Sequence, residues 1–307
     1  MKRKALLFIA IILSILLVAC GQSESSSSNG SNTDESSYEN SELLVDTEWV
    51  ANHVEDDAVT FIDTRREGYE GGHLPEAIPF STGELSDEAA EYDGILVDAD
   101  TFAEKMQGIG VNQEDTIVIY DDGSSLSAAR LFYALEYYGH ENVKIYNGGF
   151  TAWLNDGEDV STETNEAQTG DFVATANEEK VCDLNTLQAS IDDENIVVLD
   201  TRSEEEYTGE EVRAERGGHV PDAVHIEWSD AITDEDGVSK FKSAEALAEM
   251  YEDKGVTKDK TVIPYCQTNV RGAHTYFTLR LLGYDSVKPY EGSWAEYGNV
   301  SDTKIEN

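Results

Sequence analysis

The chain has 307 residues, with 63 acidic and 21 basic side chains and a formal net charge of −42. This length is typical of about two domains and provides enough apolar residues for two cores. The negative field of so many carboxylates would repel nucleic acid and anionic lipid head groups, which argues against both as binding partners.

The N-terminal 19 residues have the pattern of a signal peptide. The basic residues KRK at 2–4 precede a short apolar run that ends in LVACG at 17–21. This run is shorter than a typical transmembrane helix, and the small residue Ala19 stands before the predicted cleavage point. It resembles a bacterial lipoprotein signal, which implies cleavage before Cys20, lipidation of Cys20 and tethering to the outer side of the cell membrane. An ordinary secretory signal or an uncleaved anchor is the alternative.

Residues 20–42 are rich in serine, asparagine and acidic side chains and contain almost no apolar residues. Such a composition cannot bury a core. We expect a flexible tether that holds the folded part away from the membrane and has no chemistry of its own.

The rest of the chain is an internal repeat, in which four landmarks recur in the same order. The matching pairs are VTFIDTR at 59–65 with IVVLDTR at 196–202, GGHLPEA at 71–77 with GGHVPDA at 217–223, TIVIY at 116–120 with TVIPY at 261–265, and VKIYNGGF at 143–150 with VKPYEGSW at 287–294.

Each half alternates short β-rich runs with helical patterns, such as those at 126–138 and 244–252. This alternation predicts two α/β domains, each with a mostly parallel sheet flanked by helices on both faces. We therefore predict one domain at 43–156, an acidic linker at 157–179 and a second domain at 180–307.

A cysteine, Cys266, directly follows the strand pattern at 261–265, and Arg271 opens the next helical pattern. Ligands of open α/β sheets bind at the carboxyl ends of the strands, where a helix N-terminus also presents unpaired N–H groups. These groups and the guanidinium of Arg271 favour a thiolate. The pattern predicts a nucleophile that holds an anion, and a buried core cysteine is the alternative.

Together these landmarks resemble a tandem rhodanese across nearly all of residues 43–300. The C-x4-R spacing is similar to the active-site loop of rhodanese sulfurtransferases, whereas phosphatases of the same fold use C-x5-R. The resemblance implies that Cys266 and Arg271 are catalytic, that the loop between them binds the substrate, and that no cofactor or metal takes part. The loop residues are Gln267, Thr268, Asn269 and Val270.

The two halves differ at this loop. The first half reads DDGSSLSAAR at 121–130, with Asp121 in place of the cysteine and one extra residue before the helix. A carboxylate cannot accept a sulfane sulfur and would repel an anionic substrate. We expect the first half to be inactive and to serve as a scaffold and as one wall of the cleft.

The second half has nine more residues than the first between its D-T-R and G-G-H landmarks, and these carry Arg213 and Arg216. The resemblance implies that an arginine from this region holds the anionic group of the substrate, with a bidentate geometry suited to an oxyanion. We expect Arg213 or Arg216 to do so. A surface salt bridge with a neighbouring glutamate is the alternative.

The loop also departs from the rhodanese pattern. Gln267 stands where a positive residue is common, and Asn269 stands where glycine is common. Asparagine tolerates positive φ, so the loop can still curl.

Cys182 is interpreted as a packed apolar side chain, with a resolving cysteine as the alternative.

The reaction implied by the resemblance is two-step covalent transfer. A sulfane sulfur passes from a small donor such as thiosulfate to Cys266, and then to a thiophilic acceptor such as cyanide, a thiol or an envelope protein. A relay module that binds sulfur without turnover is the alternative, and a phosphatase of the same fold ranks below both.

Overall fold

The computed structural model describes residues 38–164 and 168–307. The predicted signal peptide, the lipidation site Cys20 and the tether up to residue 37 lie outside the described residues. Among the described helices, none is long and apolar enough to cross a membrane.

The first half alternates strands and helices, because β-branched runs form its strands and Asp46 and Asp98 cap its first two helices through their side chains. The strands are β1 (Leu44–Val45), β2 (Val59–Asp63), β3 (Ile78–Pro79), β4 (Thr116–Tyr120) and β5 (Val143–Tyr146), and the helices are α1 (Thr47–His53), α2 (Ala99–Gly108), α3 (Leu126–Tyr137) and α4 (Gly149–Asp156).

The second half follows the same scheme and adds an antiparallel hairpin. Its strands are β6 (Ile196–Asp200), β7 (Val224–His225), the hairpin strands β8 (Ile232–Glu235) and β9 (Val238–Phe241), and β10 (Thr261–Tyr265), and its helices are α5 (Leu184–Ser190), α6 (Glu204–Tyr207), α7 (Ala244–Glu252), α8 (Val270–Leu281) and α9 (Ser293–Tyr297).

The strands of the first sheet are all parallel and lie in the order β1-β5-β4-β2-β3. Alternate residues of β4 enter two different cores, with Ile117 and Ile119 on one face and Val118 and Tyr120 on the other. Helices cover both faces, so β4 carries apolar side chains on both faces rather than alternating with polar ones.

The second sheet repeats this order. Strands β10, β6 and β7 are parallel neighbours, and parallel bridges from Val262 to Val287 and from Cys182 to Tyr290 continue the sheet beyond β10. The predicted fold class is confirmed.

The two halves share one core. Helices α3 and α8 pack against each other, with Phe132 on Phe277 at 4.8 Å and Tyr133 on Tyr276 at 5.2 Å between ring centroids. One apolar cluster runs through both sheets, and the described residues of both halves belong to a single compact unit. The loops that follow β4 and β10 precede these two helices, so the packing of α3 on α8 brings both loops to the same interface.

The segment between the halves is attached to the first half. The N–H of Gly170 donates to the carbonyl of Gln107 at 2.9 Å, and that of Asn177 donates to Tyr137 at 2.8 Å. Phe172 is fully buried in the shared core.

Candidate active site

The D-T-R landmark of each half is a structural clamp. In the second half, Arg202 donates through Nε and Nη2 to Asp200, at 2.9 and 2.6 Å, and through Nη2 to the carbonyl of Gly218 at 2.7 Å. Tyr265 adds a hydrogen bond from its hydroxyl to the same carboxylate. The clamp ties the ends of β6 and β10 to the G-G-H loop, and Asp63 and Arg65 form the same pair in the first half.

The histidine of each G-G-H landmark fixes its loop. His73 and His219 stack on Tyr69 and Tyr207 at 3.8 and 3.7 Å and form hydrogen bonds with the backbone carbonyls of these same tyrosines. Both histidines are buried. The aspartates and histidines of these landmarks therefore hold the loops in place.

Cys266 lies at the carboxyl end of β10 and is 1% exposed. Three residues later, Asn269 caps α8 in the left-handed region with φ of 55°. The first N–H groups of α8 have no partner within the helix, and they lie at its cysteine end. Cys266 therefore lies in the short loop that leads from β10 to the N-terminus of α8.

A serine that sequence reasoning missed organises this loop. The hydroxyl of Ser293 accepts the N–H groups of Cys266 at 3.3 Å and Asn269 at 3.1 Å, and donates to the carbonyl of Tyr290 at 2.9 Å. The next residue, Trp294, donates its N–H to the carbonyl of Cys266 at 2.9 Å. The EGSW landmark was recognisable in the sequence, but its contact with the loop required the tertiary structure.

The backbone N–H groups of the cysteine loop at 266–271 are called the amide cradle below. The corresponding loop of the first half shows that such a set of N–H groups can hold an anionic side chain. Asp121 turns its carboxylate back into its own loop, where it accepts the N–H groups of Gly123 at 2.8 Å, Ser125 at 2.9 Å and Ser127 at 3.1 Å. Ser125 caps α3 with φ of 61°, much like Asn269. One anionic side chain therefore satisfies the loop amides of the first half, and Cys266 holds the equivalent place in the second.

Arg271 lies in the first turn of α8 and pairs with Glu206, a partner that the sequence analysis did not identify. Its Nη2 donates to Glu206 Oε1 at 2.9 Å, and its Nη1 donates to the other carboxylate oxygen. Glu206 is 1% exposed and forms a capping box with Ser203. The S-x-x-E spacing after D-T-R was the available signal, although a capping box alone does not indicate a partner for Arg271.

The charges of this pair are mutually stabilised. Burial would raise the pKa of Glu206, but the hydrogen bonds from Arg271 and Ser203 hold it below its ordinary value. Burial would likewise lower the pKa of Arg271, yet the hydrogen bonds to Glu206 and the nearby Cys266 raise it. Arg271 therefore remains a fixed cation beside the cysteine.

The prediction for Arg216 as a substrate-binding residue needs correction. Its guanidinium donates to the carbonyls of Thr303 at 2.8 Å, Tyr297 at 3.0 Å and Gly298 at 3.3 Å, and it also contacts Val300. These bonds anchor the C-terminal segment and occupy the N–H donors of the Arg216 guanidinium. Arg216 is a structural residue.

Arg213 lies beside the loop, as expected, but it is already paired. Its carbonyl accepts the side-chain amide of Gln267 at 3.2 Å, while its half-exposed guanidinium donates to Glu211 at 2.7 Å and lies 3.7 Å from Glu206. The surface salt bridge weighed as the alternative is therefore present. Arg213 is the residue of the two whose position still allows contact with a substrate.

The remaining loop residues surround Cys266 and meet the first half. The carbonyl of Thr268 lies so close to Gly94 that a Cβ atom there would be 2.5 Å away. Asn269 donates its side-chain amide to Glu291 at 2.7 Å. Val270 lines a cavity together with the Asp121 loop. The predicted loop residues are thus brought together at the boundary between the halves.

Cys182 is fully buried beside Tyr290 and is not bonded to Cys266. Burial raises the pKa of the Cys182 thiol to about 12, and the neighbouring Asp183 adds to the shift. A neutral, buried thiol fits the packing role predicted for it.

Within the described residues, no group of three or more His, Cys, Asp or Glu side chains is placed to hold a metal ion.

Comparison with known proteins identifies relatives that span nearly the whole described part of the chain. The model of the rhodanese-like domain matches residues 46–156 and 183–299. The sulfur carrier protein TtuD of Thermus thermophilus is 34% identical over 292 residues, covering 87% of this chain and 98% of that protein. A Saccharopolyspora erythraea protein named "Putative thiosulfate sulfurtransferase" is 34% identical over 285 residues, covering 87% of this chain and 96% of the relative.

A solved structure agrees with these relatives. The crystal structure of SseA from Escherichia coli, described with the rhodanese fold and the mechanism of 3-mercaptopyruvate sulfotransferases, has a TM-score of 0.75 and 28% identity. The match covers 83% of this chain and 99% of that one.

Proposed function

The chain belongs to the rhodanese family, and from this premise we infer that it is a sulfurtransferase that carries sulfane sulfur on Cys266. The observation that carries this inference is the difference between two similar loops. In the first half, the Asp121 carboxylate accepts the loop amides. In the second half, a thiol stands at the equivalent place, beside Arg271.

The first step transfers sulfur to the enzyme. The Cys266 thiolate attacks the outer sulfur of thiosulfate, the bond between the two donor sulfurs breaks, and sulfite leaves with the electron pair. The product is a Cys266 persulfide anion. The N–H groups at the start of α8 stabilise its charge in the way an oxyanion hole stabilises oxygen, and Arg271 supplies a fixed positive charge nearby.

The second step returns the enzyme to its starting state. A thiophilic acceptor, cyanide or a thiolate, attacks the outer sulfur of the persulfide, and the Cys266 thiolate leaves. Atoms and charge balance without a cofactor. Since Cys266 is 1% exposed, the donor must be small or must present its sulfur on a narrow end.

The test measures the intact mass of the protein without its N-terminal signal and Cys20, beginning at Ser23, before and after incubation with thiosulfate. We expect a gain of about 32 Da on the wild type, reversed by cyanide with release of thiocyanate. Cys266→Ser should gain nothing, while Cys182→Ser should load normally because that thiol is buried at the bridge to Tyr290, before α5. Failure of thiosulfate, mercaptopyruvate and polysulfide alike to load the wild type would disprove the function.

A sulfur carrier without turnover is the second candidate, favoured by the similarity to the sulfur carrier protein of Thermus thermophilus. A carrier would load one sulfur per chain and discharge it slowly to cyanide or small thiols. Repeated turnover that releases many thiocyanate molecules per chain would identify an enzyme instead.

We also propose that the protein is exported and lipid-anchored through Cys20. The basic, apolar and small-residue pattern before Cys20 and the polar segment after it support this proposal. An envelope protein would then be within reach as an acceptor. Metabolic labelling with a fatty acid should mark the wild type in the membrane fraction, and an unlabelled, soluble wild type would contradict the anchor.

A further inference from the structure

An arginine of the first half reaches the cysteine loop of the second. Arg130, the fifth residue of α3, is 2% exposed and lies at the interface between the halves. Its guanidinium donates to the carbonyl of Gly94 at 2.6 Å, to Glu291 at 2.9 Å and to the carbonyl of Asn269 at 3.3 Å. A buried cation with three acceptors has one orientation only.

Glu291 connects this cation to the loop a second time. One of its oxygens accepts from Arg130, and the other accepts the side-chain amide of Asn269 at 2.7 Å. Asn269 is therefore held through both its backbone carbonyl and its side chain. It is fully buried and has positive φ, a conformation that non-glycine residues adopt only when their surroundings fix it.

We propose that Arg130 is a positioning residue for sulfur transfer, which holds Asn269 and through it the amide cradle of Cys266. This inference rests on the proposed function of that cradle. The half without a cysteine then does more than form a wall of the cleft, because its Arg130 completes the loop that carries the persulfide.

The reciprocal contact supports this assignment. His274 occupies the fifth position of α8 and reaches the carbonyl of Ser124 in the first-half loop, with Nε2 3.2 Å from the oxygen. Burial lowers the pKa of His274 to about 3, so this contact is neutral. Each half therefore contacts the loop of the other. Among the described contacts, the one that reaches the cysteine loop is charged and doubly anchored, whereas the one from His274 is neutral.

The expected consequence is a loss of rate rather than of substrate affinity. Arg130 contacts loop backbone and Glu291, so its removal should allow the cradle amides to move away from the sulfur. Small displacements of positioning groups reduce rates strongly. The Michaelis constant for thiosulfate should change little, because the buried guanidinium points at protein atoms.

The experiment compares Arg130→Met and Arg130→Lys with the control Arg280→Met. Arg280 also crosses between the halves, pairing with Glu136 at 3.3 Å, but it has no described contact with the cysteine loop. At saturating thiosulfate, Arg130→Met should load sulfur about 30-fold more slowly, with KM within about threefold of the wild type. Arg130→Lys should recover part of the rate, and Arg280→Met should keep all of it.

Amide hydrogen exchange tests the positioning role of Arg130 independently of sulfur transfer, because it reports on the loop itself. Arg130→Met should raise amide exchange in residues 266–271 about tenfold, and Arg280→Met should not, whatever the protein does with sulfur. Unchanged exchange and rate in Arg130→Met would overturn the proposal, as would equal effects in both variants. If Arg130→Met does not fold, Arg130→Lys is compared with Arg280→Met in its place. Amide exchange of residues 266–271 at the wild-type rate in Arg130→Lys would then overturn the proposal.

Discussion

Replacing Glu206 with alanine is expected to slow sulfur loading of Cys266 about 100-fold, because Arg271 loses the carboxylate that orients it. The pair is bidentate and buried, with 2% of the Glu206 side chain and 17% of the Arg271 side chain exposed. Removing one partner leaves a buried charge unpaired, which should cost about 3 kcal/mol of stability. Single-turnover loading and urea unfolding measure both effects.

The matched control is Glu211→Ala, which removes the exposed partner of Arg213. An exposed ion pair contributes little, so stability should change by less than about 1 kcal/mol and loading should stay near the wild-type rate. Glu206→Gln keeps an acceptor for the capping box and should lose less stability than Glu206→Ala. Equal loading by the Glu206 and Glu211 variants would show that Arg271 needs no partner.

The contribution of Glu206 to stability should also depend on pH. Its pKa is lowered in the folded state from the ordinary value of 4.5. The stabilisation is therefore fully present above about pH 4.5 and is lost as the pH falls through the folded-state pKa. The difference in unfolding free energy between the wild type and Glu206→Gln should be largest near pH 7 and should shrink below pH 4.5. A constant difference across this range would contradict the ion pair.

Replacing Asp200 with alanine is expected to lower the free energy of unfolding by about 3–5 kcal/mol, since Arg202 would remain buried without its partner. Arg202 is 1% exposed and lies 4.3 Å from the ring centroid of Trp294. Tyr265 would also lose the acceptor of its hydroxyl. Because the neighbour of Trp294, Ser293, organises the cysteine loop, the folded variant should also load sulfur more slowly.

The first half provides an internal comparison. Asp63→Ala removes the same clamp, in which Arg65 and Tyr120 play the equivalent roles, and should cost a similar amount of stability. Its folded fraction should load sulfur faster than that of Asp200→Ala, because the described hydrogen bonds of its clamp stay within the first half. Asp302→Ala, an exposed site, should change stability by less than about 0.5 kcal/mol. A loss below 1 kcal/mol in Asp200→Ala would contradict the clamp.

Local sequence patterns were sufficient for the fold. Strands buried on both faces are apolar throughout, and the repeat placed equivalent strands and loops in both halves, so the parallel sheets followed from the sequence. The Cys266 to Arg271 spacing also predicted a nucleophile at a strand end before a helix. These features are encoded within a few consecutive residues, and for that reason they can be read without the tertiary structure.

The partners of these residues could not be predicted in this way. Arg213 and Arg216 look equivalent in the sequence, yet Arg216 is used to anchor the C-terminal segment and Arg213 lies beside the cysteine loop. Their different roles depend on where a nine-residue insertion folds back, which no local pattern specifies.

What the sequence by itself determined is therefore the fold class, the repeat and the reactive cysteine, because each depends on periodicity or on short spacing. What only the tertiary structure decided is which distant groups meet at the loop: Glu206 with Arg271, Ser293 with Cys266, and Arg130 with Asn269. These pairs are separated by 65, 27 and 139 positions in the chain. The first contact arises because β6 and β10, which precede α6 and α8, are neighbours in one sheet. The second arises from the return of the chain through α9, and the third from the packing of α3 on α8.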